Sequence, residues 1–197
     1  RNAEAWIQKY NQIQLNASLT YTKTFAEKHN LDAMIGGEYY TYNQFDFEAK
    51  TQGSPTDDVP TLNVGSERTF TRTEKTAYRI LSGFGRVNYN YNMKYLLSFT
   101  ARYDGISRLK DNRWGFFPGV SVGWNIMEED FWKESKVSDI VSNLKPRLSY
   151  GVNGNVNGIG NYEVYGEYAQ VDAKTYGGAT ALYNKKLLNT NLRWEQS

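Results

Sequence analysis

The chain has 197 residues, 23 Lys and Arg against 21 Asp and Glu, a formal charge of +2, no Cys and one His. That balance argues against a nucleic-acid binder, which needs clustered cations. Without Cys there is no disulfide frame or thiolate site, and His29 alone makes no zinc site. No run approaches the roughly 20 apolar residues of a membrane helix, which leaves open a membrane crossed by short alternating strands.

The first element is the cleanest alternation in the chain. Ile13, Leu15, Ala17, Leu19, Tyr21 and Phe25 share one face; Gln12, Gln14, Asn16, Ser18, Thr20 and Thr22 share the other. Trp6 and Tyr10 at one end, with Tyr21 and Phe25 at the other, resemble the two aromatic girdles of a barrel strand. A short polar turn at 26–30 contains His29, to which we assign no catalytic role. A second strand carries Leu31, Ala33, Ile35, Gly37 and Tyr39 on one face. The polar stretch 44–75 then reads as one long loop.

From Arg79 to Asn155 the period of two continues. One strand runs through Val87, Tyr89 and Tyr91, and a tight turn follows at 90–94. The next sets Tyr95, Leu97, Phe99, Ala101 and Tyr103 against Ser98, Thr100, Arg102 and Asp104. After a loop at 104–115, Trp114, Phe116 and Phe117 suit a girdle, and Val120, Val122, Trp124 and Ile126 oppose Ser121, Gly123 and Asn125. A long connection at 127–143 contains Glu128, Glu129 and Asp130, placed to start a helical turn. The last strand sets Leu144, Leu148, Tyr150 and Val152 against Lys145, Arg147, Ser149 and Asn153, and a loop at 154–190 follows.

Such alternation serves two architectures. In a soluble sandwich the apolar face is core; in an outer-membrane barrel it meets lipid and the polar face lines the lumen. Short turns at 26–30 and 90–94 alternate with long loops at 44–75, 104–115 and 154–190, as in bacterial barrels, and only 127–143 breaks the rule. A loop as long as 44–75 is uncommon in a compact soluble domain. The alternative to a barrel segment is a soluble secreted β-rich module that binds carbohydrate or protein.

Candidate sites are few. Ser residues lack a His partner, and the acid pairs Asp57–Asp58 and Glu128–Glu129 read as solvated loop charges rather than a hydrolytic pair. Gly151 to Asn155 is glycine-rich but opens no helix, so it is no phosphate cradle. Arg102, Asp104, Arg108, Asp111 and Arg113 gather at one strand–loop–strand corner. They form either a charged group facing the lumen or an ion-paired corner that fixes the loop. Tyr162, Tyr165, Tyr168, Tyr176 and Tyr183 crowd the last loop, where amphipathic rings suit sugars, peptides or a partner protein, or pack the loop on itself. No catalytic, metal or cofactor set emerges.

FGRVNYNY at 84–91, YLLSFTARYDGISRL at 95–109, NRWGFFPGVSVGWNIMEEDFW at 112–132 and LKPRLSYGVNGN at 144–155 together resemble the barrel of SusC/RagA-type TonB-dependent outer-membrane transporters. NTNLRWEQS at the end resembles that family's strand opening after a long loop. The resemblance implies an all-β fold: six to seven antiparallel transmembrane strands of a barrel of roughly 22, with residues 1–197 part of one barrel domain. It also implies a long turn at 127–143. The implied setting is the outer membrane of a Bacteroidetes-type bacterium. The implied partners are a SusD-type surface lipoprotein, TonB, and a glycan or peptide ligand. The plug domain and the TonB-contacting segment of such transporters are not among these residues. A chain that starts at Arg1 and ends on an opening strand is expected to be a piece of a larger protein.

Overall fold

In the computed structural model the described residues are 2–56, 58–59, 61–136, 140–141, 143–176 and 179–197, with backbone alone for 170–176, 179 and 180. The fold is an antiparallel meander. Six strands follow one another in sequence order: β1 Asn2–Phe25, β2 His29–Gln52, β3 Glu67–Tyr91, β4 Tyr95–Ile106, β5 Trp114–Trp124 and β6 Arg147–Gly151. Beyond β6 the chain makes β7 (Gly154–Asn155), a hairpin of β8 (Glu167–Tyr176) and β9 (Ala179–Lys186), and β10 (Glu195–Gln196). β10 pairs antiparallel with β7, so a seventh strand begins beside the continuation of the sixth. Asn153 and Ser197 extend that pairing by exchanging backbone hydrogen bonds of 2.9 and 3.1 Å.

The turns at 26–28 and 92–94 are tight, with left-handed backbone at two successive residues: φ is +46° and +57° at Ala26 and Glu27, and +50° and +58° at Asn92 and Met93. That handedness matches the right-handed twist of the strands being joined. At the second turn the Asn90 side chain accepts from the Met93 amide at 2.8 Å, which offsets part of the strain of a positive φ.

The strands are longer than their apolar patterns. The stretch 44–75 is not one loop: β2 runs on to Gln52 and β3 starts at Glu67, leaving 53–66 as the connection. Over 67–75 both faces are polar but for Phe70, so alternation is faint there; over 44–52 Phe45, Phe47 and Ala49 do alternate with Gln44, Asp46, Glu48 and Lys50, a strand signal set among charges. The loop at 154–190 is likewise largely built, by the β8–β9 hairpin and a 3₁₀ turn at Glu163–Tyr165. The connection 127–143 contains a 3₁₀ turn at Ile126–Glu128 and α1 at Asp130–Lys133, the helical turn that its acids foretold.

Contacts gather in two units, residues 1–14 with 40–79 and residues 15–39 with 80–197. In the first, Tyr78 lies against Tyr40 and Tyr42 at ring distances of 5.8 and 5.2 Å, and Lys50 bridges Glu4 and Glu48 at 3.1 and 2.9 Å. Trp6 lines a groove there with Glu4, Gln8, Asp46, Glu48 and Arg72. Trp6 and Tyr10 are an even number of residues from Gln12 and Gln14, on the face opposite Ile13. They are therefore not girdle residues of the apolar face. In the second unit a small core of Ile106, Leu109 and Val164 is flanked by Ile80, Val156, Ile159, Leu192 and Trp194. This core stands where the strand ends meet the last loop, not between sheets.

Candidate functional site

The second unit presents a two-faced wall, and the strand register builds both faces. Tyr89, Leu97, Val122 and Leu148 lie in one cross-strand row, and Val87, Phe99, Val120 and Tyr150 in the next. All of these point the same way, and Leu97, Phe99, Val122 and Leu148 are 45%, 48%, 47% and 73% exposed. A face this apolar, open and continuous is not a soluble surface. Leu15 and Leu19 on β1 are exposed in the same manner.

Aromatic residues close this band at both ends. Tyr91, Tyr95 and Trp124 form one row. Tyr103 and Trp114 form the other end, with rings 5.0 Å apart and 4° from parallel, and Phe116 lies opposite Tyr103. Gly105 is required there, because a Cβ would meet the Trp114 ring at 2.6 Å. Trp114 and Trp124 are ten residues apart along β5, about 33 Å of strand. Tilted by the usual 35–45°, that is about 25 Å of height, the thickness of the apolar band of an outer-membrane barrel. Phe117 is a correction to the sequence reading: it sits opposite Arg102, on the other face from Trp114 and Phe116, with its ring 5.2 Å from Trp194.

The opposite face is polar. Asn88, Ser98, Ser121 and Ser149 form its central row. Asp32 accepts from Thr22 Oγ1 at 3.2 Å and Asn88 Nδ2 at 3.1 Å, and Ser98 donates to Asn88 Oδ1 at 2.7 Å. These residues, with Arg147, line an open concavity of about 660 Å³. Such a surface can hydrogen-bond a hydrated solute or another polar domain.

Arg102 and Asp104 meet directly on this face, Nε donating to the carboxylate at 2.8 Å. The Arg102 guanidinium also reaches Glu38 at 3.3 Å and Ser82 Oγ at 3.0 Å and lies over the Phe84 ring at 5.7 Å. Glu38 was not among the candidates, since it comes from a strand 64 residues away and nothing in its own neighbourhood marks it. Arg108 is half-buried in the loop after β4, and Asp111 is exposed there. Arg113 turns to that loop's backbone instead, donating to the Lys110 carbonyl at 3.1 and 3.0 Å.

The tyrosines do not form one patch. Tyr162 and Tyr165 flank buried Val164 on the 3₁₀ turn and are 46% and 55% exposed. Tyr168 and Tyr183 are exposed as well, but Ala169 is the partner of Tyr183, so the two rings project from opposite faces of the hairpin. Tyr176 ends β8, and its side chain lies outside the described residues.

Glu129, read from the sequence as a solvated loop charge at the start of a helical turn, is instead an acceptor for three side chains. Its carboxylate receives Lys94 Nζ at 3.0 Å, Tyr95 OH at 2.8 Å and Trp124 Nε1 at 3.0 Å. Led by the Lys94 contact, these donors hold its pKa down to about 2, well below the ordinary carboxylate range. Among the described residues no group of three or more His, Cys, Asp or Glu could hold a metal ion.

A meander with an aromatic-edged apolar face and a polar concave face defines a segment of a transmembrane β-barrel wall. The family model for the β-barrel of TonB-dependent receptor-like proteins matches residues 1–197, and the chain belongs to that family. It is 36% identical over its whole length to the TonB-dependent receptor SusC of Bacteroides thetaiotaomicron, and 35% identical over 91% of its length to the TonB-dependent receptor P3 of Formosa agariphila. It spans 19% and 18% of those two relatives, so it corresponds to about a fifth of such a protein. A solved structure of the RagAB peptide transporter superposes on 98% of the chain with a TM-score of 0.84 at 28% identity, using 21% of that protein.

Proposed function

We propose that residues 1–197 are part of one barrel domain and form a portion of the wall of a TonB-dependent importer. The importer sits in the outer membrane of a Bacteroidetes-type bacterium and takes up glycans or peptides. It works with a SusD-type surface lipoprotein, and TonB acts through a segment outside this chain. The observation that carries this reading is the pair of cross-strand rows. The row through Leu97 and Val122 suits lipid, and the row through Ser98 and Ser121 suits a polar lumen. The similarity to SusC, and to a structure described as a peptide transporter, supports the choice of cargo classes and partner.

The chain does no bond-breaking chemistry in this reading. His29 Nδ1 is engaged with Tyr89 OH at 2.7 Å, on a strand end. The charged corner is structural: Asp104, Glu38 and Ser82 already orient Arg102, which ties β2, β3 and β4 together. Tyr162, Tyr165, Tyr168 and Tyr183 present contact area to the ligand or the lipoprotein.

The test is removal of 167–186 from the full-length transporter. The barrel should keep its heat-modifiable migration on a gel, because the six-strand ladder does not use the hairpin. Growth on the imported nutrient, or capture of the surface lipoprotein, should fall. Uptake and capture both at wild-type level would remove the loop's proposed role. Turnover of a glycan or peptide by the purified transporter would end the importer reading.

A further inference from the structure

The connection after β5 does not hang freely below the barrel. Tyr95 and Trp124 are partners in the row that continues the apolar outer face. Both donate to the Glu129 carboxylate, at 2.8 and 3.0 Å. The turn is therefore clamped on the outside of the wall, over the aromatic girdle, rather than across the concave side. Lys94 Nζ, at 3.0 Å, completes the clamp from the neighbouring turn. α1 is held in register with the clamp by backbone bonds from Trp132 and Lys133 to the Glu129 carbonyl, both 3.1 Å.

This placement leaves Phe131 in an unusual position. Its ring lies 6.5 Å from the Trp124 ring, yet it is 59% exposed. Asp130, next to it, has a side chain 87% exposed with its carboxylate 3.8 Å from Lys94 Nζ, and Lys133 is paired with Glu128 at 2.8 Å. One aromatic ring thus extends the girdle outward by a further layer, while Glu128 is paired with Lys133 and Glu129 and Asp130 with Lys94. An aromatic side chain at headgroup level with a polar turn behind it is how an interfacial segment holds to a bilayer.

We propose that the turn 126–134 is an interfacial membrane anchor, with Phe131 inserted among the lipids of the leaflet that surrounds the Tyr95–Trp124 girdle. The partner is the phospholipid surface itself, and continuity with the lipid-facing row identifies it. The anchor fixes the depth of the wall at this rim and keeps the connection clear of the lumen mouth. The inference rests on the outward row meeting lipid, and its test separates the two claims.

The experiment uses the full-length transporter, native cysteines replaced, in vesicles of phosphatidylethanolamine and phosphatidylglycerol. Spin labels are placed singly at Phe131→Cys, Glu134→Cys and Leu148→Cys, and collision with oxygen is compared with collision with a water-soluble nickel complex. Phe131 is 59% exposed, so its replacement gives up little packing beyond the contact with the Trp124 ring. The label at 131 should collide several-fold more with oxygen than with nickel, as at 148, and the label at 134 should show the reverse. If 148 reports lipid while 131 reports water, the anchor is refuted and the wall stands. A label at 131 shielded from both reagents would mean that protein covers it, which also refutes the anchor. Water at 148 would overturn the membrane-facing wall itself.

Discussion

Leu97 lies opposite Val122 across the β4–β5 ladder, and both side chains face outward, while Ser98 and Ser121, one residue on, face the other way. A single-residue slip would reverse all four, so this pair reports the register of the whole wall. Leu97→Arg should cost roughly 2–4 kcal/mol if position 97 is near the bilayer midplane. Ser98→Arg, on the polar face, should cost far less. Urea titration of the full-length barrel in vesicles measures both, and equal costs would mean that the faces are assigned wrongly.

Sidedness follows from the connections. The loop 53–66 and the hairpin 167–186 should lie outside the cell, and the turns at 26–28 and 92–94 in the periplasm. Asp58→Cys should react with a membrane-impermeant maleimide on intact cells. Met93→Cys, equally accessible on its turn at 58% exposure, should react only after the outer membrane is opened. Labelling of position 93 in intact cells would invert the topology.

The Glu129 clamp predicts a pH dependence. The carboxyl titrates near 2 when folded, against an ordinary value of 4.5. A depressed pKa means that the charged form stabilises the fold, so the contribution is complete above about 4.5 and is lost as pH falls toward about 2. Hydrogen exchange at residues 125–134, corrected for intrinsic rates, should show constant protection from pH 7 to 5 and a progressive loss below that. Glu129→Gln should lower protection at neutral pH and flatten the profile. A wild-type profile that stays flat down to pH 2 would remove the clamp.

Leu109 is fully buried against Ile106 and Val164, which pins the 3₁₀ turn to the end of β4. Leu109→Ala should cost about 2–5 kcal/mol of that docking. Because the core lies at the strand ends, the loss should be local. Proteolysis and exchange should rise at residues 156–165, with the heat-modifiable migration of the barrel unchanged. Loss of the folded barrel band would show that this cluster supports the wall as well as the loop.

Most of the wall was legible in the sequence because the side-chain period of a strand is two. Ile13 to Phe25, Tyr95 to Tyr103 and Val120 to Trp124 each declare two faces without reference to any neighbour, and the short turns between them declare the meander. The same rule, applied too loosely, misplaced Trp6, Tyr10 and Phe117, whose parity puts them on the polar face. What alternation cannot show is pairing where both faces are polar. Residues 67–75 are a strand because backbone groups find partners there, which depends on the adjacent strand rather than on local polarity, whereas in 44–52 the alternation of Phe45, Phe47 and Ala49 with charged residues was itself a strand signal. In the 154–190 stretch the alternation of Ala169, Val171 and Ala173 with Gln170, Asp172 and Lys174 is a short strand signal that a reading of the whole stretch as loop passed over. Contacts between distant residues were also out of reach. Glu38 reaches Arg102 from another strand, Val164 fills a space made by Ile106 and Leu109, and Glu129 collects donors from three positions, each at a cost in chain entropy that only the assembled sheet offsets. The sequence by itself determined the two faces, since each is a property of one strand. The tertiary structure decided how far the strands run, where the loops are pinned and on which side of the wall the 126–134 turn lies, since these depend on which strands stand next to one another.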